Sequence, residues 1–180
     1  MSSSVVGCAA NADAVELDRA TVRIGITGHI RLTARSRDLV RDALRDRLRR
    51  YGDRLLHGVT CLAAGADQLF AQALLAEHGT YEVILPARDY RARAVGAANR
   101  VTFDHLLRHA DRVSHAFPVS CTRAYAAAGH RMLEQCDELF AVWDGGVGGV
   151  GSTAEIVAAA RRRGLPVEVV WPVGARRSPR

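Results

Sequence analysis

Short apolar runs alternate with helical apolar patterns along most of this chain, and that alternation restricts the fold more than any other feature. Leu39, Val40, Ala43, Leu44 and Leu48, for example, have the spacing of one face of a helix. Strands that alternate with helices are typical of a parallel sheet. The sequence therefore predicts an α/β fold, with one open, mostly parallel sheet and helices on both faces. The predicted strands are residues 22–27, 59–63, 81–85, 112–115, 139–143 and 166–171.

The length of the chain, 180 residues, is that of one domain, which is expected to span residues 22–172. Residues 1–21 are small and polar with weak periodicity, so they are expected to form a flexible amino-terminal arm. Residues 173–180 are rich in arginine and lie at the chain end, which predicts a disordered basic tail.

Composition limits the partners that this chain can have. Its formal net charge is +6, carried by arginine without any lysine, which suits either nucleic acid or an anionic small ligand. Aromatic residues make up only 6% of the chain, which favours the small ligand over nucleic acid. No apolar run approaches the ~20 residues of a membrane span. The scattered cysteines lack zinc-site spacing, which predicts free thiols in a cytoplasmic protein and no metal site.

A glycine-rich segment follows the fifth predicted strand and leads directly into a predicted helix. Five of the seven residues 145–151 are glycine, which lets the backbone approach an anion closely. The free N–H groups and the dipole of the helix would then face that anion. The absence of lysine excludes a Walker A loop, and no carboxylate lies ~20 residues further on to complete a dinucleotide fingerprint. The predicted phosphate-binding residues are Gly145, Gly148, Gly149, Gly151, Ser152 and Thr153.

Polar and glycine residues also follow other predicted strands. The carboxyl ends of parallel strands share one edge of a sheet, so one ligand can contact residues from several of them. The predicted ligand-binding residues at this edge are Thr27, Gly28, His29, Gly65, Ala66, Asp67 and Asp144. Structural roles remain open as alternatives: His29 could pack or cap, Asp67 could belong to an acidic first helical turn, and Asp144 could form an Asx turn.

Glu155 has two interpretations that its spacing leaves open. Ser152 and Glu155 fit a capping box, in which the serine caps the helix and the glutamate reaches back to a backbone N–H. Beside a phosphate loop, Glu155 could instead bind a ribose hydroxyl or act as a general acid or base. Spacing alone slightly favours the cap.

Four motifs together resemble the SLOG superfamily, a Rossmann-like group that includes the DNA-processing protein DprA and the "Lonely guy" (LOG) cytokinin-activating enzymes. They are Gly25-Ile-Thr-Gly-His29, Ala63-Ala-Gly-Ala-Asp-Gln68, Cys136-Asp-Glu-Leu-Phe-Ala-Val-Trp-Asp-Gly145 and Gly151-Ser-Thr-Ala-Glu155. The resemblance covers nearly all of residues 22–172 and is closest to uncharacterised bacterial members. It implies a single Rossmann-like domain that binds nucleotides.

The LOG enzymes carry a Pro-Gly-Gly-x-Gly-Thr-x-x-Glu motif that matches residues 147–155 with valine for proline and serine for threonine. There the loop holds the nucleotide phosphate and the glutamate takes part in cleaving the N-glycosidic bond, which implies Glu155 as a catalytic candidate. The position of the LOG catalytic arginine falls near Ala128, and the nearest basic residue, Arg131, is a second candidate.

The leading expectation is a domain that binds or senses a nucleotide or a nucleotide-derived phosphate. One alternative is a LOG-like nucleoside 5′-monophosphate phosphoribohydrolase, which turnover of a nucleoside monophosphate would reveal. Another is DprA-like binding of single-stranded DNA, which steep salt dependence would support. Mg²⁺ could accompany a bound phosphate, and related folds suggest a homodimer.

Overall fold

Residues 21–179 are described by the computed structural model, and at their centre is a six-stranded sheet in the order β4-β3-β2-β1-β5-β6. Every neighbouring pair of strands is parallel. The predicted α/β class, with an open and mostly parallel sheet, is therefore confirmed. The strands are β1 (Val22–Gly28), β2 (Leu56–Thr60), β3 (Thr80–Ala87), β4 (Arg112–Phe117), β5 (Glu138–Val142) and β6 (Val167–Val169).

Helices cover both faces of the sheet, as predicted. They are α1 (Ala34–Arg49), α2 (Ala66–Ala76), α3 (Tyr90–Ala94), α4 (Arg100–Arg108), α5 (Thr122–Leu133) and α6 (Thr153–Arg162), with a 3₁₀ turn at Ala97–Asn99. One buried core joins α1, α2 and α4 to strand residues such as Ile24 and Phe140. A second core joins α5 and α6 to Leu139 and Ala141 on the opposite face. None of the helices within residues 21–179 is long and apolar enough to cross a membrane.

The order of the strands reverses between β1 and β5. From β1 the chain adds β2, β3 and β4 outward in one direction, and then it returns to place β5 on the other side of β1. In open α/β sheets, ligands bind outside the carboxyl ends of the strands at such a switch point. Gly28 pairs with Val142 at the end of the β1–β5 register, so the loops after these residues start side by side.

Some segments differ from the sequence-based expectation. β2 begins at Leu56, earlier than predicted, because its register with β1 places Leu56 opposite Val22. Residues 61–63 consequently lie beyond the strand, at the carboxyl edge of the sheet. The stretch 87–100, which lies between the third and fourth predicted strands, contains α3 and the 3₁₀ turn. The predicted flexible arm, residues 1–21, lies outside the described residues except for Thr21.

Residues 173–179, which we name the C-terminal strap, were predicted to be disordered but lie on the segment that precedes α1. The Arg176 N–H donates to Ser36 Oγ at 2.7 Å, and the Arg176 carbonyl accepts from the Thr33 N–H at 3.3 Å. Leu32 forms an antiparallel bridge with Arg177. These are backbone interactions, which the basic composition of the strap did not reveal, and they correct the prediction for residues 173–179.

Gly28 is expected to tolerate no side chain, because β1 passes very close to its neighbours there. A Cβ at this position would lie 2.5 Å from Ala66 Cβ and 2.8 Å from the Val142 carbonyl oxygen. Gly28→Ala should therefore lower the free energy of unfolding by about 1–3 kcal/mol, as overpacking generally does. Gly149→Ala is the control, since no atom lies within 4 Å of its Cβ position. Equal urea midpoints for the two variants would contradict this prediction.

Candidate ligand-binding site at the carboxyl edge of the sheet

Two adjoining cavities lie at the switch point between β1 and β5. The loop cavity, of about 270 Å³, lies between the glycine-rich loop and the segment that follows β1. The tyrosine cavity, of about 360 Å³, extends from there toward α2, α3 and α5. The two cavities are adjacent, because four residues line both of them: Gly28, Ile30, Gly151 and Thr153.

The amino terminus of α6 faces the loop cavity. Ser152 caps this helix: its Oγ accepts a hydrogen bond from the Glu155 N–H at 3.3 Å, and its carbonyl accepts from the Ile156 N–H at 3.1 Å. The N–H groups of Thr153 and Ala154 have no acceptor within residues 21–179, and both residues line the loop cavity. Two backbone donors and the positive end of the helix dipole therefore lie at this cavity.

A cluster of charged side chains lies beside the glycine-rich loop. His29 Nε2 is 2.9 Å from Asp144 Oδ1, and Arg177 Nε is 2.8 Å from Asp144 Oδ2. Partial desolvation opposes ionisation of Asp144, but hydrogen bonds from the Gly146 N–H and His29, together with the charge of Arg177, lower its pKa. The aspartate is thus a carboxylate whose charge is balanced by its neighbours. Asp144 also forms the predicted Asx turn, since it accepts from the Gly146 N–H at 3.0 Å.

Apolar and aromatic side chains make up most of the wall of the tyrosine cavity. Tyr90 is buried, whereas Tyr125 is 39% exposed, and their rings meet edge to face with centroids 6.0 Å apart. Met132 on α5 and Ile156 on α6 add further apolar surface. A slot with such walls fits a flat group with apolar faces and polar edges.

Asp67 is the one carboxyl group that lines the tyrosine cavity among the described residues. Its side chain is buried, and its Oδ2 accepts hydrogen bonds from Thr60 Oγ1 and the Ala63 N–H, both at 3.3 Å. Burial raises the pKa of Asp67 to about 7, because these hydrogen bonds only partly compensate for lost hydration. A buried group that titrates near neutral pH inside a cavity is a typical feature of functional sites.

Glu155 does not line either cavity. Its Oε1 lies 3.0 Å from His130 Nε2 on α5, and its Oε2 accepts from the Gly151 N–H at 3.4 Å. The capping-box interpretation is therefore supported, with one difference: the glutamate reaches the N–H of Gly151 rather than that of the cap residue Ser152. His130 had not been predicted as a partner, because it comes from a different helix.

The structure places some predicted site residues on these cavities and others away from them. Thr27, Gly28, His29, Asp67, Gly148, Gly151, Ser152 and Thr153 line one or both cavities. Gly65, Ala66, Asp144, Gly145, Gly149, Glu155 and Arg131 line neither.

The predicted residues that lie away from the cavities have other contacts. Gly65 packs against the backbone at His29 and Ile30, which would lie within 2.8 Å of a Cβ, and the Ala66 N–H donates to the His29 carbonyl. These two residues support the segment after β1 rather than face a ligand. Arg131 donates to the His115 carbonyl on β4 at 3.3 Å, so the arrangement does not bring the two catalytic candidates together.

Several lining residues were missed by the sequence analysis. Tyr90 lies on α3, in a stretch where no site residue was predicted, and Arg177 lies in the strap that was expected to be disordered. Tyr125 and Met132 lie on α5, and neither was among the predicted site residues. Asp144 was predicted as a ligand-binding residue, but its pairing with Arg177 was not predicted.

No group of three or more His, Cys, Asp or Glu side chains within residues 21–179 is arranged to hold a metal ion. The sequence matches no family model and no curated protein sequence.

Solved structures do resemble this chain. DNA processing protein A (DprA) from Streptococcus pneumoniae has a TM-score of 0.59 and 15% identity over 83% of the chain. DprA from Helicobacter pylori, described for its mode of binding single-stranded DNA, has a TM-score of 0.60 and 15% identity over 82% of the chain. This chain shares its fold with DprA. It spans 50% of the first DprA chain and 64% of the second.

A further similar structure is the structural-genomics target TM1055, with a TM-score of 0.53 and 16% identity over 81% of this chain and 72% of that one. At such identities the likeness concerns the fold alone. The resemblance to the Rossmann-like group that includes DprA, which the four motifs suggested, is confirmed at that level.

Proposed function

We propose that this protein binds a nucleotide or a nucleotide-derived phosphate at the carboxyl edge of its sheet. The observation that carries the proposal is that the two cavities adjoin and share four lining residues, Gly28, Ile30, Gly151 and Thr153. A cavity that faces a helix amino terminus and an apolar, aromatic cavity thus lie within the reach of a single small molecule. A nucleotide combines the two matching chemistries, a phosphate and a flat heterocyclic base.

The phosphate belongs in the loop cavity. The N–H groups of Thr153 and Ala154 lack other acceptors within residues 21–179, and the Ser152 and Thr153 side chains line the same cavity. The positive end of the α6 dipole favours an anion there. Mg²⁺ bound to the phosphate remains part of this proposal as an accompanying ion rather than a protein-held one.

The base and sugar belong in the tyrosine cavity. Tyr90, Tyr125 and Met132 supply apolar contact for the faces of a base. Asp67 can accept hydrogen bonds from base or ribose donors when ionised and can donate one when protonated. Its pKa of about 7 makes both forms available near neutral pH.

Binding without hydrolysis fits this arrangement better than phosphoribohydrolase activity does. Glu155 contacts His130 and the Gly151 N–H instead of lining a cavity, and Arg131 contacts β4. DNA binding is suggested only by the fold likeness to DprA. The mononucleotide proposal therefore has the stronger support, and the other two functions become outcomes of its test.

The proposal is tested by thermal-shift measurements with matched ligand pairs. Each nucleoside 5′-monophosphate is compared with the same nucleoside lacking phosphate, and a single-stranded oligothymidine is included. A bound monophosphate at ~100 times its Kd should stabilise the protein by about 2.7 kcal/mol, whereas the nucleoside should do much less. Chromatography should then recover the nucleotide intact. A freed base would replace the proposal with hydrolase activity, and a shift with the oligonucleotide alone would replace it with DNA binding.

A further inference from the structure

Arg177 brings a positive charge from the C-terminal strap to the loop cavity. It lines the same cavity as the α6 amino terminus, and its Nη2 lies 3.3 Å from the position that a Cβ on Gly146 would occupy. Within residues 21–179 the guanidinium forms its ion pair through Nε and makes no well-directed hydrogen bond. The Nη1 and Nη2 groups therefore remain available for another acceptor in this cavity.

The backbone of the strap is fixed on both sides of Arg177. Before it, the Arg176 N–H donates to Ser36 Oγ and the Arg176 carbonyl accepts from the Thr33 N–H. After it, the Ser178 N–H donates to the Arg31 carbonyl at 3.2 Å. The backbone of Arg177 is thus held beside the glycine-rich loop. Its side chain is 53% exposed, so it can change rotamer.

Asp144 would repel a phosphate bound in the loop cavity if its charge were not balanced. Its two oxygens contact His29 and Arg177, and Gly146 donates a backbone hydrogen bond to it. A guanidinium can hold two acceptors at once because its donors are spread over a planar fork. Arg177 can therefore contact Asp144 through Nε and a phosphate oxygen through Nη1 or Nη2.

We infer that Arg177 is a ligand-binding residue, which clamps the phosphate against the amino terminus of α6. This inference rests on the proposed phosphate site and adds to it a residue from outside the glycine-rich loop. The strap then forms part of the binding site, and the site requires the carboxyl-terminal residues of the chain. The ligands expected for this site are phosphate esters and pyrophosphates whose phosphate group can reach the amino terminus of α6.

The inference is tested by measuring the Kd of AMP and of inorganic pyrophosphate for the full chain and for single variants. Arg177→Gln should weaken binding on the order of tenfold, because it removes a charge-assisted contact. Arg176→Gln is the matched control, since Arg176 is its exposed neighbour in the strap and lines neither cavity. It should change Kd by less than about twofold, as expected for an exposed charge. Arg177→Lys should recover part of the loss.

Ionic strength separates a direct contact from a structural effect. If Arg177 contacts the phosphate, raising the salt concentration should weaken binding by the full chain more than by Arg177→Gln, because the variant lacks the screened charge pair. Equal affinities for Arg177→Gln, Arg176→Gln and the unmodified chain would overturn the inference while leaving the phosphate site intact. Equal losses in both arginine variants would also overturn it, since the effect would then be that of overall charge. Failure of the unmodified chain to bind either probe would overturn the proposed function itself.

Discussion

Ala154→Asp should abolish most of the affinity for a phosphate ligand without unfolding the protein. Ala154 is the second residue of α6, and its N–H faces the loop cavity without an acceptor among residues 21–179. A carboxylate at this position would lie beside the proposed anion site. Two like charges ~4 Å apart repel by about 1 kcal/mol in water and about 4 kcal/mol at an effective dielectric constant near 20, so Kd should rise on the order of 100-fold.

The fold should tolerate this change, because acidic residues in the first turn of a helix interact favourably with its dipole. Ala154→Asn is the matched control, with nearly the same shape and no charge. Calorimetric titration with AMP should show near-native affinity for the asparagine variant and almost none for the aspartate variant. Similar affinities for both variants would place the phosphate elsewhere.

Asp67→Asn should remove a large pH dependence of stability. Because burial raises the pKa of Asp67 from 3.8 to about 7, the folded state holds a proton that the unfolded state releases. The contribution of the Asp67 carboxyl to the stability of the folded state is fully present below about pH 4. It is lost as the pH rises toward 7. At 1.36 kcal/mol for each pKa unit, the loss reaches about 4 kcal/mol above pH 7. The asparagine side chain keeps an oxygen that can accept hydrogen bonds from Thr60 and the Ala63 N–H. Because it is neutral at every pH, its burial has no pH-dependent cost.

Urea denaturation at several pH values checks this prediction. The measured quantity is the difference in free energy of unfolding between Asp67→Asn and the unmodified protein. This difference should increase in favour of the variant by about 4 kcal/mol between about pH 4 and about pH 8. Contributions from other carboxylates cancel in that difference. Asp53→Asn, at an exposed position in the turn after α1, serves as the control and should show no such increase. Parallel stability curves for Asp67→Asn and the unmodified protein would contradict the proposed burial of the charge.

The fold was largely predictable because most residues of the inner strands β1, β2, β3 and β5 are buried. Residues 81–87 of β3 are all buried, for example, and such strands appear in a sequence as continuous apolar runs bounded by turns. The predicted ends of the strands were less accurate. β2 begins closer to the amino terminus than predicted because it pairs with β1 from Leu56 onward, and no local sequence pattern indicates that pairing. Thr27, Gly28, His29 and Asp67 line the two cavities. The sequence analysis expected these residues at one edge of the sheet because they follow the carboxyl ends of predicted parallel strands.

Contacts between distant segments account for what the sequence did not predict. The pairing of Glu155 with His130 depends on how α5 packs against α6. Tyr90 and Tyr125 meet across two helices that are far apart in the chain. Arg177 reaches the loop cavity because backbone hydrogen bonds hold the strap, and composition does not encode such bonds. Local sequence patterns predicted the helices and strands. The contacts between distant segments depend on how those helices and strands pack together, which local patterns do not show.

The binding of a phosphate at the amino terminus of α6 is tested most directly by an NMR titration of the ¹⁵N-labelled protein with AMP. The amide signals of Thr153 and Ala154 should move furthest and saturably, with downfield proton shifts as their N–H groups gain an acceptor. Adenosine, which lacks the phosphate, should leave those two signals nearly unchanged while it shifts signals around the tyrosine cavity. If AMP shifts neither amide, or shifts them no more than adenosine does, the phosphate does not bind at α6 and the account is contradicted.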